Sequence, residues 1–292
     1  MKVKKLLMVI CLVVTVLLSG CDMSNLTDRF SRDTDNSGEY DYREMYLNND
    51  TKDLKGRELE VFNAASRVYS IYMEDCTNDY DKVVAAHDYI VENCVYNKDA
   101  IDSDTLSDDD FEPYGVFIKG VAVCEGYAEA FKLLMDIAGI ECNIVIGTVG
   151  EEETLHAWNM VKLDGDWYHV DVTFDDPYPE TAEIVYLYLN VTDDILSKDH
   201  SWDKSETPEA NSDEYEYIKR SGNECTSIGE LKVLLDQCDR EGSGYVSFVW
   251  TGEGMISDDI WQQVLRNTDI AGLTYSYLGA DYRRLYMVNL EY

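Results

Sequence analysis

The 292-residue chain is 45% hydrophobic and 12% aromatic, enough apolar material for one sizeable core and a smaller second one, which excludes a disordered protein. Against 24 basic residues it sets 58 acidic ones, a formal charge of -34. Such an excess excludes nucleic acid as a partner and excludes charge-driven adhesion to an anionic membrane, because both would repel it; a solvated acidic surface is the reading that remains.

Lys2, Lys4 and Lys5 precede an apolar run over residues 6 to 18, the pattern of a secretory leader over residues 1 to 20, too short to span a bilayer comfortably. Leu18-Ser19-Gly20-Cys21 resembles the lipobox of bacterial lipoproteins. That resemblance implies a lipidated Cys21 as the mature N-terminus and a protein held on the extracytoplasmic side of the cell membrane, with buried methylenes rather than a spanning helix supplying the affinity. Residues 21 to 53 are polar and acidic and read as a tether. Within it Asp33, Asp35, Ser37, Asp41 and Glu44, with Gly38 at the sixth place, follow the order of a calcium loop. Arg29, Arg32 and Tyr40 stand where such a loop wants apolar flanks, so no metal is assigned.

Helical spacing covers residues 54 to 72 and 80 to 93, and in the second helix Val83, Val84, His87, Ile90 and Val91 form the buried stripe. A histidine there is expected to be a core residue with its own hydrogen-bond partner. An Asp-rich loop over 98 to 112 leads to a helix over 124 to 138 that Gly139 ends. Strands are expected over 143 to 149, 157 to 163, 167 to 173 and 186 to 190. A polar stretch over 197 to 214 reads as a linker. After it the pattern restarts with helices over 227 to 238 and 258 to 266 and strands over 245 to 250, 273 to 278 and 285 to 290, a small α+β accessory domain over 215 to 292.

Six cysteines remain beyond Cys11 and Cys21: Cys76, Cys94, Cys124, Cys142, Cys225 and Cys238. None has a CxxC partner, which argues against zinc. Cys124 falls where a loop enters a helix, and unpaired N–H groups and partial positive charge at a helix start favour a thiolate. Helix position alone would equally suit a core cysteine. The following segment adds weight. His156 begins a strand that runs into Asp164-Gly165, a strong two-residue hairpin signal, and returns through His169 to Asp171. With Leu163 opposite Asp166, His169 opposes Met160, Trp158 opposes Asp171, and His156 and Asp171 become diagonal neighbours on one face, about 7 to 8 Å apart at the backbone. A slip of one residue would part them. His169 shares that face and competes for the role.

The runs VAVCEGYAEAFKLLMDIAGIECNIVIG and HAWNMVKLDGDWYHVDVTFDDP resemble the core of the transglutaminase-like superfamily, in particular its bacterial lipoprotein and secreted members. HDYIVENCVY and YLNVTDDILSKDHSWD resemble the segments on either side, so the similarity covers roughly residues 80 to 205. The resemblance implies an α+β, papain-like domain over 54 to 205, with Cys124 as nucleophile, His156 as general base and acid, Asp171 as the carboxylate that orients it, and no cofactor. Peptide or protein substrates follow, with a protease, amidase or acyl transferase as the activity; the expected extracytoplasmic location alone adds cell-wall peptide, and a non-catalytic module binding peptide or glycan is the alternative. Val123 stands where vertebrate-type members have Gln, and no Trp lies nearby upstream, so Tyr114 and the Cys124 backbone N–H are the oxyanion candidates.

Overall fold

The computed structural model describes residues 2–10, 40–176 and 184–292; Cys21 and most of the calcium-like loop lie outside them. Asp41 and Glu44, the last two positions of that loop, sit at the start of helix α1 (Tyr42–Asn48), where the Asp41 carboxylate accepts the Glu44 backbone N–H at 2.9 Å. The chain divides into two compact units, a larger one over 14–184 and 188–215 and a smaller one over 1–13, 185–187 and 216–292.

In the larger unit, helices α2 (Gly56–Val68), α3 (Asp79–Asn93) and α4 (Cys124–Ala138) accompany a five-stranded sheet. α3 starts at Asn78, whose side chain accepts the Asp81 N–H, and buries Val83, Ala86, His87 and Ile90. Val84 and Val91 are half-buried, so the stripe is narrower than its sequence spacing suggests. α4 is apolar nearly all round: Tyr127, Ala128, Ala130, Phe131, Leu133, Leu134, Met135, Ile137 and Ala138 are all buried, as a central helix requires. Each large side chain of that set contributes about 1.5–3 kcal/mol by leaving water. Gly139 ends it in the left-handed conformation, φ 75°, which its lack of a Cβ permits.

The sheet is antiparallel in the order β7-β6-β5-β4-β8, with β4 Cys142–Val149, β5 Thr154–Leu163, β6 Asp166–Val170, β7 Leu189–Val191 and β8 His200–Trp202. The β5–β6 hairpin closes in the predicted register, Leu163 opposite Asp166 and Met160 opposite His169. Asp164 and Gly165 both take positive φ, 50° and 100°, the requirement of the tight turn that matches strand twist. Pairing stops at Asn159 with Val170, one step before Asp171, whose N–H donates instead to the Tyr188 carbonyl. β8 was not foreseen: three residues in a polar stretch carry no readable period, and the stretch read as a linker supplies an edge strand. Beside α4, a two-residue parallel ladder joins β2 (Val95–Tyr96) to β3 (Val121–Ala122).

The smaller unit has the sheet order β1-β11-β12-β10-β9, with β1 Lys2–Ile10, β9 Glu224–Cys225, β10 Tyr245–Trp250, β11 Gly272–Ala280 and β12 Arg283–Glu291. Helices α5 (Ile228–Glu241) and α6 (Asp258–Val264) bury Leu231, Leu235 and Trp261 against Phe248, Tyr275 and Tyr286. β1 belongs to the segment read as a leader and pairs in parallel with β11. Among the described residues no helix is long and apolar enough to cross a membrane.

Candidate active site

Cys124 is the first residue of α4, and what sets it there is the Asp-rich loop that composition alone marks as merely polar. Asp110, 5% exposed, accepts from the Asn97 side chain at 2.5 Å and the Ser107 N–H at 2.7 Å, while its own carbonyl accepts the Val123 N–H at 2.8 Å, one residue before the thiol. Gly126 lets the helix press against this loop: a Cβ there would stand 2.7 Å from the Asp110 carbonyl oxygen and 2.9 Å from the Ala122 Cβ. The Gly in the Cys-Glu-Gly-Tyr run is thus a requirement of close backbone approach. Cys124 is half-buried and reachable from outside.

His156 lies on β5, 4% exposed, with its Nε2 2.7 Å from Asp171 Oδ2. Cys124 adjoins the same ring and acts on it electrostatically. Burial pulls this imidazole down, but the charge and hydrogen bond of Asp171, then Cys124, outweigh it and lift it to about 10. Asp171 is fully buried; burial pushes its carboxyl up, and His156 and then His200 overcome that and hold it well below the usual carboxylate range. Its second oxygen accepts the Phe174 N–H at 3.0 Å, fixing the carboxylate plane.

The competing histidines have other work. His169 Nδ1 accepts the Trp158 indole N–H at 3.0 Å, so its Nε2 carries the proton and donates to Asp193 at 2.8 Å. That is a neutral ring, lowered by burial, and it serves the sheet rather than the thiol. His87 is fully buried between Asp88 at 3.0 Å and Asp175 at 3.3 Å, the partnered core histidine expected on α3.

Two residues near the site escaped the sequence reading. His200 on β8, 3% exposed, places Nε2 2.9 Å from the same Asp171 Oδ2 and Nδ1 2.6 Å from Asp199. Only its Asp-His-Ser-Trp context in a polar stretch pointed to it. The donor atoms of His156, Asp171 and His200 lie within 4.8 Å of one another, the one such group among the described residues that a metal ion could bridge. Each is hydrogen-bonded to another member, so the three form one network through the Asp171 carboxylate. Tyr96 sits opposite Ala122 in the β2–β3 ladder, its ring 6.3 Å from that of Tyr127. Burial raises its phenol well above the usual value, and the charges of Cys124 and Asp171 add to that. Tyr114, by contrast, lies under the Arg57 guanidinium, 4.0 Å from it, and Arg57 is in turn paired with Asp109 and Glu112.

Cys94, Cys142, Cys225 and Cys238 are buried, Cys76 is half-buried, and all are free. Burial pushes Cys94 and Cys225 up to about 12 and raises Cys142, Cys238 and Cys76 as well.

Residues 67–172 match the family model described as "Transglutaminase-like superfamily", a span that includes Cys124, His156 and Asp171. The kyphoscoliosis peptidases of Mus musculus and Homo sapiens are each 24% identical over 147 residues, 47% of this chain and 22% of theirs. The chain therefore spans about a fifth of the length of these curated relatives. Among solved structures, one described as "Crystal structure of a TGase" aligns with 16% identity and a TM-score of 0.36 over 54% of this chain and 40% of that one. The larger unit is thus a mixed α+β fold whose residues 67–172 are similar to the transglutaminase-like superfamily.

Proposed function

We propose that the protein is a thiol enzyme that acts on peptide or amide bonds through Cys124, His156 and Asp171. The observation that carries this reading is the half-buried Cys124 at a helix start, beside an imidazole that a buried carboxylate holds at 2.7 Å. In the reaction so read, the Cys124 sulfur attacks the carbonyl carbon and the C–N bond of the resulting tetrahedral species breaks. His156 delivers its proton to the departing amine and leaves a thioester on Cys124. Water, or a second amine, then loses a proton to His156 and attacks the thioester; the C–S bond breaks and Cys124 is restored. Water gives a protease or amidase, an amine gives acyl transfer. The Cys124 backbone N–H at the helix start and the Tyr96 phenol are the donors we assign to the oxyanion, with Tyr114 the earlier candidate.

The same reading places the enzyme outside the cytoplasm, anchored by lipid on Cys21, because of the basic start, the apolar run and Leu18-Ser19-Gly20-Cys21. Cell-wall peptide and surface protein are then within reach as substrates. Profiling with electrophilic peptides on wild type and Cys124→Ala tests the chemistry: labelling confined to Cys124 and lost in the variant is expected. Equal labelling of both would leave a non-catalytic binding module. Incorporation of an alkyne fatty acid, absent from Cys21→Ala, tests the anchor.

A further inference from the structure

His200 lies 28 residues beyond the matched span and has no part in the three-residue scheme. Its ring is enclosed by Phe174, Tyr188, Trp158 and His156, with centroids 4.7, 5.5, 5.2 and 5.7 Å away. Both its nitrogens meet carboxylate oxygens, Asp171 at 2.9 Å and Asp199 at 2.6 Å. An ionised carboxylate only accepts, so a ring placed between two of them must donate from both nitrogens and is an imidazolium. Asp199 is itself held, its other oxygen accepting the Tyr188 hydroxyl at 2.6 Å. The result is a continuous chain of hydrogen bonds, Tyr188, Asp199, His200, Asp171, His156, that ends beside Cys124.

We propose that His200 is a positioning residue of the thiol site, a fixed buried cation that holds the Asp171 carboxylate and offsets its charge, so that His156 can release as well as accept its proton. This rests on the thiol reading above. A lone buried Asp171 would bind the His156 proton too firmly for an acid that must give it to a leaving amine; a cation on the far side of the same oxygen loosens that hold. Strand β8 exists to deliver this ring. It pairs with β4 at Gly147, where a Cβ would collide with the Ser201 carbonyl and stand 2.6 Å from the Trp158 ring. The charged or titratable groups facing His200 are Asp171 from the turn after β6, Asp199 before β8, His156 on β5 and Tyr188; His169 on β6 acts on it at longer range.

The experiment is the rate of Cys124 alkylation by iodoacetamide against pH, on the full chain, for wild type, His200→Gln and Asp199→Asn. Asp199→Asn keeps the His200 bond to Asp171 while removing the second carboxylate that makes the ring a cation, so it separates charge from position. In wild type the rate changes once as the thiolate forms and again as His156 loses its proton. Removing a like charge about 6 Å away raises that second step, by about one pH unit. A second step unmoved in both folded variants overturns the proposal, since a merely structural His200 would alter folding and leave the profile alone. Nitrogen-15 NMR of the wild-type ring at pH 8 needs no variant: both His200 nitrogens protonated is expected, and a neutral ring overturns it. Wild-type Cys124 alkylating no faster than a model thiol would instead remove the thiol-enzyme reading, whatever His200 does.

Discussion

Replacing Asp171 by Asn is the sharpest probe of the site, because every atom it changes has a named partner. Oδ2 receives N–H groups from His156 at 2.7 Å and His200 at 2.9 Å, and Oδ1 receives the Phe174 N–H at 3.0 Å. An amide has one oxygen to offer. If that oxygen takes the Oδ2 place, the NH2 faces the Phe174 N–H, donor against donor. If it takes the Oδ1 place, the NH2 faces two imidazole donors. Either way a buried donor is stranded and the His200 cation keeps only Asp199. Hydrogen bonds to charged groups contribute about 1.5–3 kcal/mol each, and breaking a buried pair by removing one partner costs about 3–5 kcal/mol. The expected loss in the larger unit is therefore about 3–5 kcal/mol. Urea denaturation followed by tryptophan fluorescence reads it, since the Trp158 ring lies 6.0 Å from that of His156. On the thiol-enzyme reading, loss of the orienting carboxylate also lowers turnover by about 10⁴. A variant within about 1 kcal/mol of wild type would refute the geometry, whatever its activity.

Gly126→Ala places a Cβ against the Asp110 carbonyl, and overpacking of this kind costs about 1–3 kcal/mol. It also shifts Cys124, so alkylation and turnover should fall by about 10²-fold, with activity falling further than a melting curve accounts for. On the thiol-enzyme reading, Tyr96→Phe removes an assigned oxyanion donor and should lower kcat by about 10²-fold with little change in KM, whereas Tyr114→Phe, in the ring under Arg57, should leave kcat within a few-fold of wild type. Stability should also depend on pH on the alkaline side. His87 and His156 are raised from 6.5 to about 9 and about 10, so their contribution is complete below about pH 6.5 and is lost as pH rises through 9 to 10. Each contributes a slope of up to about 1.4 kcal/mol per pH unit in that window. Urea midpoints measured from pH 6 to 10 should decline in wild type and decline less in His87→Gln.

How much of this was legible depends on the length of the signal. α4, with fifteen residues and a glycine stop, and the β5–β6 hairpin, with a turn that admits only one register, were readable because a period repeats or a turn residue is demanded. His156 and Asp171 were paired for the same reason. β8, of three residues, repeats nothing, so His200 stayed hidden in a stretch that composition assigns to a linker. Tyr96 was missed because its approach to Cys124 depends on a two-residue parallel ladder between segments 26 residues apart. Choosing between His156 and His169 required the tautomer, and the tautomer depends on an indole from the neighbouring strand.

The acidic residues are where composition misled most. A charge of -34 suggests a solvated surface, yet Asp110, Asp171, Asp175 and Asp176 are buried in the larger unit, at 5%, 0%, 0% and 6% exposure. Three of them occupy one six-residue turn and each reaches a different element: Asp171 the imidazoles of β5 and β8, Asp175 His87 of α3 and the Tyr188 N–H, Asp176 the Tyr127 hydroxyl of α4 at 2.5 Å. Burying a carboxylate is costly unless it is paired, so a turn that buries three must find its partners all at once or not at all. That condition ties the helix carrying the thiol, the strand carrying its imidazole and the edge strand carrying His200 to a single segment. The site is therefore expected to assemble in one step with the packing of that turn, and loss of any one carboxylate should loosen Cys124 and His156 together.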